Sequence, residues 1–329
     1  MGNISYNKTV GLRVRFPLAA VPIYLPGGLA LQELIRAIVQ NTPKTVIKEN
    51  EPLARYTSFK IGGPADLLLI PQSSADIPML FALLYQYELP LHILGGGSNL
   101  LVSDQGVSGV VMKVSCGDVT WLGENRLFAG AGCLKASASV FAQSHGLSGL
   151  EFLHGIPGTV GGGIAMNAGA YGGELSQVVT LVTACDRRGD VMEIPAGSLA
   201  FGYRDSIFRE RRELTVLGAE FSLIQDDPAV IRARMDDFMK RRRERQPLEY
   251  PSAGSTFKRP EGYYAGKLIE DSGLKGYTVG GACVSEKHAG FIVNRGGATC
   301  EDVRRVIEHV QRTVLHTFGV ELVCEIEMW

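Results

Sequence analysis

The stretch GLEFLHGIPGTVGGGIAMNAGAYGGE, residues 149–174, holds nine glycines in 26 positions and only two charged residues, Glu151 and Glu174. Glycine admits positive φ and lets a second molecule approach the main chain, at an entropic cost that a mere connector does not require in such density. Ile156, Val160, Ile164 and Met166 are interleaved with the glycines, and Leu175 follows; a flexible linker is Ser-rich and polar instead. The segment therefore reads as a site built from backbone. It contains no Lys or Arg, so an anion held here is expected on converging N–H groups, in a nest or at a helix start, as phosphates are.

About fifty residues upstream lies a second glycine cluster, Gly95-Gly96-Gly97-Ser98-Asn99. Tyr56 to Pro71 passes from a polar turn through Ile-Gly-Gly-Pro into an apolar strand, a helix is expected from Ala75 to about Leu89, and Leu91–Leu94 reads as a strand entering the glycine turn. This βαβ-like order ends in a phosphate-type turn that is neither G-x-G-x-x-G nor G-x-x-x-x-G-K-[ST]. Two glycine walls closing on one extended ligand is the reading that joins the clusters. Further helices are expected over Leu29–Gln40, Leu134–His145, from Asp227-Pro228 to Arg245, over Ala265–Ser272, and after the N-cap Thr299 as far as Gly319. Strands are expected over 178–184, 191–194, 214–223 and 290–294. A closing strand, Val320–Met328, puts Glu321, Val323, Glu325 and Glu327 on one face.

With 329 residues, the chain is too long for one ordinary core and suggests two or three domains with clefts between them. Its net charge of −1 sets up no field toward nucleic acid or anionic membranes. The basic run KRRRER (240–245) has no aromatic platform beside it, so it reads as a helix end complementing the dipole, with one or two arginines free to reach a phosphate. Six scattered cysteines without C-x-x-C, and six histidines without metal-ligand spacing, point to reduced thiols and no metal. Phe16–Leu31 is broken by three prolines and two adjacent glycines and is too short for a membrane span.

Taken together, the motifs resemble the UDP-N-acetylenolpyruvoylglucosamine reductases. They run in order from YTSFKIGGPAD (56–66) through GGGSNLL (95–101), GIPGTVGGGIAMNAGAYGGE (155–174), YRDSIF (203–208), RRRERQP (241–247), SAGSTFKRP (252–260), AGKLIEDSGLKG (265–276) and GGACVSEKHAGFIVN (280–294) to a closing V-C-E-I. The resemblance implies an α+β fold, with a two-subdomain FAD-binding module of the vanillyl-alcohol-oxidase type and a C-terminal α+β substrate-binding domain. The corresponding boundaries are an N-terminal extension and helix over 1–45, the FAD module over 46–226 (subdomains about 46–105 and 106–226) and the substrate domain over 227–329. It implies non-covalent FAD, NADPH as hydride donor, a UDP-sugar substrate, a cytoplasmic monomer or weak oligomer, and no nucleic-acid or membrane partner. Gly95, Gly96, Gly97, Ser98, Asn99, Gly158, Thr159, Gly162 and Asn167 are carried over as flavin contacts, with the pyrophosphate on the GGGSN turn.

By the same resemblance Arg204, Ser255 and Glu325 are the catalytic set, and Tyr203, Lys258, Lys267 and His288 are expected near the substrate. Locally, Ser255 is indistinguishable from Ser252 and Thr256, and Glu325 from Glu321 and Glu327. The short segment 207–227 has no room for a tyrosine-bearing insert over the substrate, which places the chain with the shorter subclass. One departure is that family members usually continue past the last strand through a glycine, where this sequence has Trp329. A rival reading keeps the fold but makes the protein a flavin oxidase, with His154 as a covalent tether beside the GIPGTVGG segment, where the resemblance puts the flavin ring.

Overall fold

Leu67-Leu68-Leu69 and Val110-Val111-Met112 are buried throughout, as strands in a sheet covered on both faces must be. The computed structural model describes residues 29–329; the expectations for residues 1–25, and nearly all of Phe16–Leu31, fall outside it. In the first lobe, α1 (Leu29–Asn41) precedes β1 (Val46–Pro52), β2 (Pro64–Ile70), α2 (Asp76–Gln86), β3 (Leu91–Leu94) and β4 (Val107–Lys113). The sheet order is β1-β2-β4-β3, with β1 antiparallel to β2 and the other pairs parallel. Successive side chains point to opposite faces, so Leu67 and Leu69 meet Leu34, Ile38, Leu80 and Phe81 of α1 and α2, whereas Leu68 meets Leu53, Leu94 and Val111 on the other side.

The second lobe is a five-stranded antiparallel sheet built from β5 (Val119–Gly123), β6 (Arg126–Gly130), β7 (Val179–Cys185), β8 (Val191–Pro195) and β9 (Thr215–Ser222). Its order is β8-β7-β9-β6-β5. Against it lie α3 (Lys135–Ser144) and the short α4 (Val160–Ala165), with α5 (Ile207–Glu210) packed on α4 and α6 (Pro228–Arg245) on α3. Asp227 caps α6 by accepting from the Ala229 N–H at 2.8 Å, and Pro228 occupies the first turn, where its missing N–H costs nothing.

The third part contains α7 (Ala265–Asp271), β10 (Thr278–Val279), β11 (Ala282–Val284), β12 (Ile292–Asn294) and α8 (Cys300–Phe318). Its core is the α8 stripe Val303, Val306, Ile307, Val310 and Val314 with Leu268, Ile269 and Ile292, and Phe59, Ile61 and Leu101 of the first lobe join it. Asp104 ties the parts together. Its carboxylate accepts from the Cys300 and Glu301 N–H groups at 2.8 and 3.2 Å, at the positive end of α8.

Packing moves three of the expected boundaries. α1 sits in the first-lobe core instead of belonging to an extension over 1–45, because Leu34 and Ile38 bury against α2. β4 lies between β2 and β3, so the first sheet continues past residue 105. α6 packs on α3 and on residues 151–153, which places it with the second lobe and not with 227–329. The closing strand is also interrupted. Residues 323–325 bond to the 256–258 segment and Glu327–Met328 then pairs with Leu100–Leu101, because the chain changes partner between lobes.

Thr299 and Asp302 form a reciprocal capping box on α8, each bond 3.0 Å long. Thr299→Ala is expected to cost about 1 kcal/mol, read as a lower urea midpoint in far-ultraviolet circular dichroism. An unchanged midpoint would mean that Asp104 alone satisfies this helix end.

Candidate functional site

The two glycine clusters meet face to face. A Cβ placed on Gly96 would stand 2.5 Å from the Gly158 Cα, and one on Gly95 would stand 2.6 Å from Thr159 Oγ1; neither leaves room for a side chain. Gly97 has φ +61°, and Lys113 Nζ donates to the Gly95 carbonyl at 3.1 Å, so the turn is held from behind. The N–H groups of Gly96, Gly97 and Ser98 have no protein acceptor among the described residues. Uncommitted donors on a glycine turn lining a cleft are able to take an anion.

The second cluster is spent differently from the expectation. The Val160 N–H donates to Cys133 O at 2.8 Å, Gly161 N–H to Ala131 O at 2.9 Å, and Gly162 N–H to Thr159 Oγ1 at 3.4 Å. The Val160 and Gly161 donors therefore fasten α4 to the end of β6 and Gly162 closes the N-cap, whereas the Gly158 and Thr159 N–H groups just ahead of the helix have no protein acceptor among the described residues. The fold also supplies a cation from outside the segment. Lys135, the first residue of α3, is 5% exposed and lines the cleft. Burial, aided by the nearby Arg242 and Arg204 charges, pushes its ammonium down to about 7.

Between the lobes lies a cleft of about 420 Å³. Gly95, Gly96, Gly97, Ser98, Asn99, Thr159 and Gly162 line it, and Gly158 packs beside Ser98 and Lys135. Asn167 does not reach it. That side chain is 2% exposed, donating to Gly202 O at 3.0 Å and accepting from the Ser176 N–H at 2.9 Å, so it anchors the 202–206 loop instead of a ligand.

The same cleft receives Arg204, Ser255 and Glu325 from three separate segments. Arg204 Nε donates to Glu325 Oε1 at 2.8 Å and Nη2 donates to Gly169 O at 3.2 Å, with Arg204 held at φ +56°. Such a conformation is uncommon for a non-glycine residue and clusters at functional sites. Glu325 is positioned through its backbone. Its N–H donates to Thr256 O at 2.8 Å and its carbonyl accepts from Asn99 Nδ2 at 3.1 Å, so the glycine turn and the carboxylate share a brace. Burial raises the Glu325 carboxyl above its usual 4.5, and Arg204, Lys258 and Arg209 oppose the rise. The hydroxyl of Ser255 has no protein partner among the described residues, whereas Ser252 Oγ accepts from Gly254 N–H and Thr256 Oγ1 from Ile292 N–H. Glu327 also lines the cleft, paired with Arg209 at 2.5 Å, and Glu321 is exposed.

The remaining expectations fare unevenly. Lys258 is near enough to act on Glu325 but is not on the cleft wall. Tyr203 is 55% exposed and its hydroxyl accepts from the Arg259 N–H at 3.3 Å. Lys267 turns away to Asp271, at 2.5 Å along α7. His288 is taken up in a turn, its Nδ1 accepting from the Gly290 N–H at 3.1 Å, and burial lowers its pKa. His154 opens onto a separate surface crevice with Arg232 and Asp236, so the oxidase reading loses its tether. Among the described residues no cluster of His, Cys, Asp and Glu is arranged for a metal, and no helix is long and apolar enough to cross a membrane. Arg209, Arg212, Arg242, Lys135 and Trp329 line the cleft without having been singled out from the sequence. For Lys135 a signal existed: a cation at a helix N-terminus opposes the dipole and needs another reason to be there.

A glycine-walled cleft between an α/β lobe and an antiparallel lobe, closed by a third α+β domain, is that of an FAD-binding flavoprotein. Residues 65–195 match the FAD binding domain family, and residues 246–329 match the C-terminal domain of UDP-N-acetylenolpyruvoylglucosamine reductase. A UDP-N-acetylenolpyruvoylglucosamine reductase of Caldanaerobacter subterraneus subsp. tengcongensis is 49% identical over 290 residues, covering 87% of this chain and 96% of the relative. One of Exiguobacterium sibiricum is 46% identical over 298 residues, 90% of this chain and 97% of the relative. The crystal structure of the Thermus caldophilus reductase superposes with a TM-score of 0.73 at 33% identity, covering 87% of this chain and 99% of that one. The chain belongs to the UDP-N-acetylenolpyruvoylglucosamine reductase family.

Two outcomes are expected. Gly96→Ala forces the glycine walls apart and should weaken FAD binding about tenfold or more, measured by flavin fluorescence; binding within twofold of the parent would show that the walls can yield. Glu325 contributes most to stability below pH 4.5, and that contribution is lost as pH rises through its raised folded pKa. Glu325→Gln has no such loss, so in urea unfolding of FAD-free protein it should gain stability relative to the parent between about pH 4 and 8. A flat difference would mean that Glu325 titrates alike in both states.

Proposed function

We propose that the chain reduces UDP-N-acetylenolpyruvoylglucosamine to UDP-N-acetylmuramate, in peptidoglycan precursor synthesis, using bound FAD and NADPH. The observation that carries this reading is the Arg204–Glu325 pair facing the cleft beside Ser255. Family membership supports the substrate class. FAD held by the Gly95–Asn99 turn beside Thr159 and Gly162 would supply the hydride chemistry between NADPH and the terminal carbon of the enol ether.

Hydride addition there leaves negative charge on the adjacent carbon and its carboxylate, so the protein must stabilise an anion and deliver a proton. Arg204 commits one N–H to Glu325 and another to Gly169 O. The rest of its fixed fork can take a substrate carboxylate. Glu325, its pKa raised by burial, is suited to donate to that developing charge when protonated. Ser255, with its hydroxyl uncommitted, delivers the proton to the carbon. Lys258 adds positive charge beside Glu325. Residues 29–113 and 114–245 would then be the FAD-binding subdomains and 246–329 the substrate domain, acting in the cytoplasm as a monomer or weak oligomer.

The anaerobic visible spectrum tests the activity: flavin absorption should bleach with NADPH and return with the enolpyruvyl sugar nucleotide. A bleached spectrum that the sugar nucleotide fails to restore would overturn the substrate assignment. Ser255→Ala should leave bleaching by NADPH near the parent rate and slow the return by about 10²- to 10⁴-fold; equal loss of both steps would remove the serine from the proton-donor role.

A further inference from the structure

Lys135 has no part in the chemistry just described, yet it is among the most deeply placed charges of the molecule. Its stem runs under α4, where a Cβ on Gly163 would touch Lys135 Cδ at 3.1 Å. Its Nζ ends at Gly158, 3.6 Å from where a Cβ on that residue would stand, and the same Cβ would be 2.5 Å from Ser98 Oγ. The amine therefore lies at the corner where the two glycine turns meet, beside the Gly96–Ser98 N–H groups that lack protein acceptors. Among the described residues Nζ itself has no hydrogen-bond partner and no carboxylate in ion-pair range.

The charges facing this corner are cationic. Arg242 comes from α6 and Arg204 from the loop before α5; the Arg204 charge is shared with Glu325, and the phenol of Tyr171 faces Arg242. α4 itself contributes no charged side chain. An unpaired buried amine among guanidiniums is costly unless an anion completes the site.

We infer that Lys135 is a cofactor-binding residue: its Nζ donates to a diphosphate oxygen of FAD lying on the Gly96–Ser98 N–H groups, replacing the α4 donors that the fold has already used. The inference rests on FAD binding by this cleft. Because burial pushes the amine of the FAD-free protein down to about 7, Lys135 takes up a proton as FAD binds above that pH. Affinity is then greatest below about 7 and falls as pH rises through it, until the higher pKa of the bound state is reached.

FAD titrations of the full chain, followed by flavin fluorescence, test this. Lys135→Met, which keeps the length and apolar stem, should raise the FAD dissociation constant about tenfold or more below pH 7 and flatten its pH dependence between about 7 and 9. Lys135→Arg, which retains a cation, should keep the stronger binding and lose the pH dependence. Binding by Lys135→Met within twofold of the parent, or with an unchanged pH slope, would overturn the assignment while leaving FAD binding by the parent intact. An unchanged dissociation constant with a lowered flavin midpoint potential would overturn it too, by placing the amine at the ring. Failure of the parent itself to bind FAD would instead sink the reading on which the inference rests. Circular dichroism of FAD-free Lys135→Met should match the parent, which separates lost contact from lost fold.

Discussion

The contact on which the site depends is backbone against backbone, Gly96 against Gly158, with no room for a methyl group between them. Everything that bounds the cleft is referred to it. The first turn hangs from β3 and is pinned by Lys113; the second is fastened to the end of β6 through Val160 and Gly161. Because protein interiors are close-packed, a displacement of either turn by the width of one carbon is not absorbed locally. The two lobes are consequently joined at their most glycine-rich points, where neither turn can swell and both can present main chain to a ligand.

The third domain completes the site by a different device. Its last residues change hydrogen-bonding partners, from the 256–258 segment to Asn99, Leu101 and Ser103, and the residue at that switch is Glu325. A carboxylate carried on such a crossing is held by both bodies at once, through the Thr256 carbonyl on one side and the Asn99 amide on the other. Trp329 continues the same pairing and forms part of the cleft wall. Asp104 at the start of α8 and the Asn294 amide on the Phe59 carbonyl hold the domain in register far from the chemistry. Thus the precision of the Arg204–Glu325 pair rests on contacts that include neither residue.

Charge in the cleft is set by what burial leaves unpaired. Glu325 is pushed toward its neutral acid by desolvation and restrained by the arginine beside it, whereas Lys135 has only other cations near it and loses its proton readily. A carboxyl biased toward the acid and an amine biased toward the base, in one cleft, suit a site that handles anionic groups and protons together.

Much of this was legible in residues 149–174 and 95–99, because a glycine cluster mixed with apolar residues has few physical explanations other than main chain built for close approach. The periodicity of α8 and its Thr299–Asp302 cap were equally plain, since they involve neighbours within one turn. Sequence could not decide which hydroxyl among Ser252, Ser255 and Thr256, or which glutamate among 321, 325 and 327, faces the cleft; the fold brings Ser255 to it, together with both Glu325 and Glu327. Nor could it foresee that the α4 donors would be consumed by Cys133 and Ala131, or that Asn167, Lys267 and His288 would turn to local partners. Lys135 comes from outside the glycine segment, and Asp104 reaches α8 across 196 residues of chain. Local chemistry is written in adjacent residues, and so the sequence by itself determined the glycine walls, the helices and their caps. Which polar groups remain unpaired is a property of the whole packed molecule, and only the tertiary structure decided it.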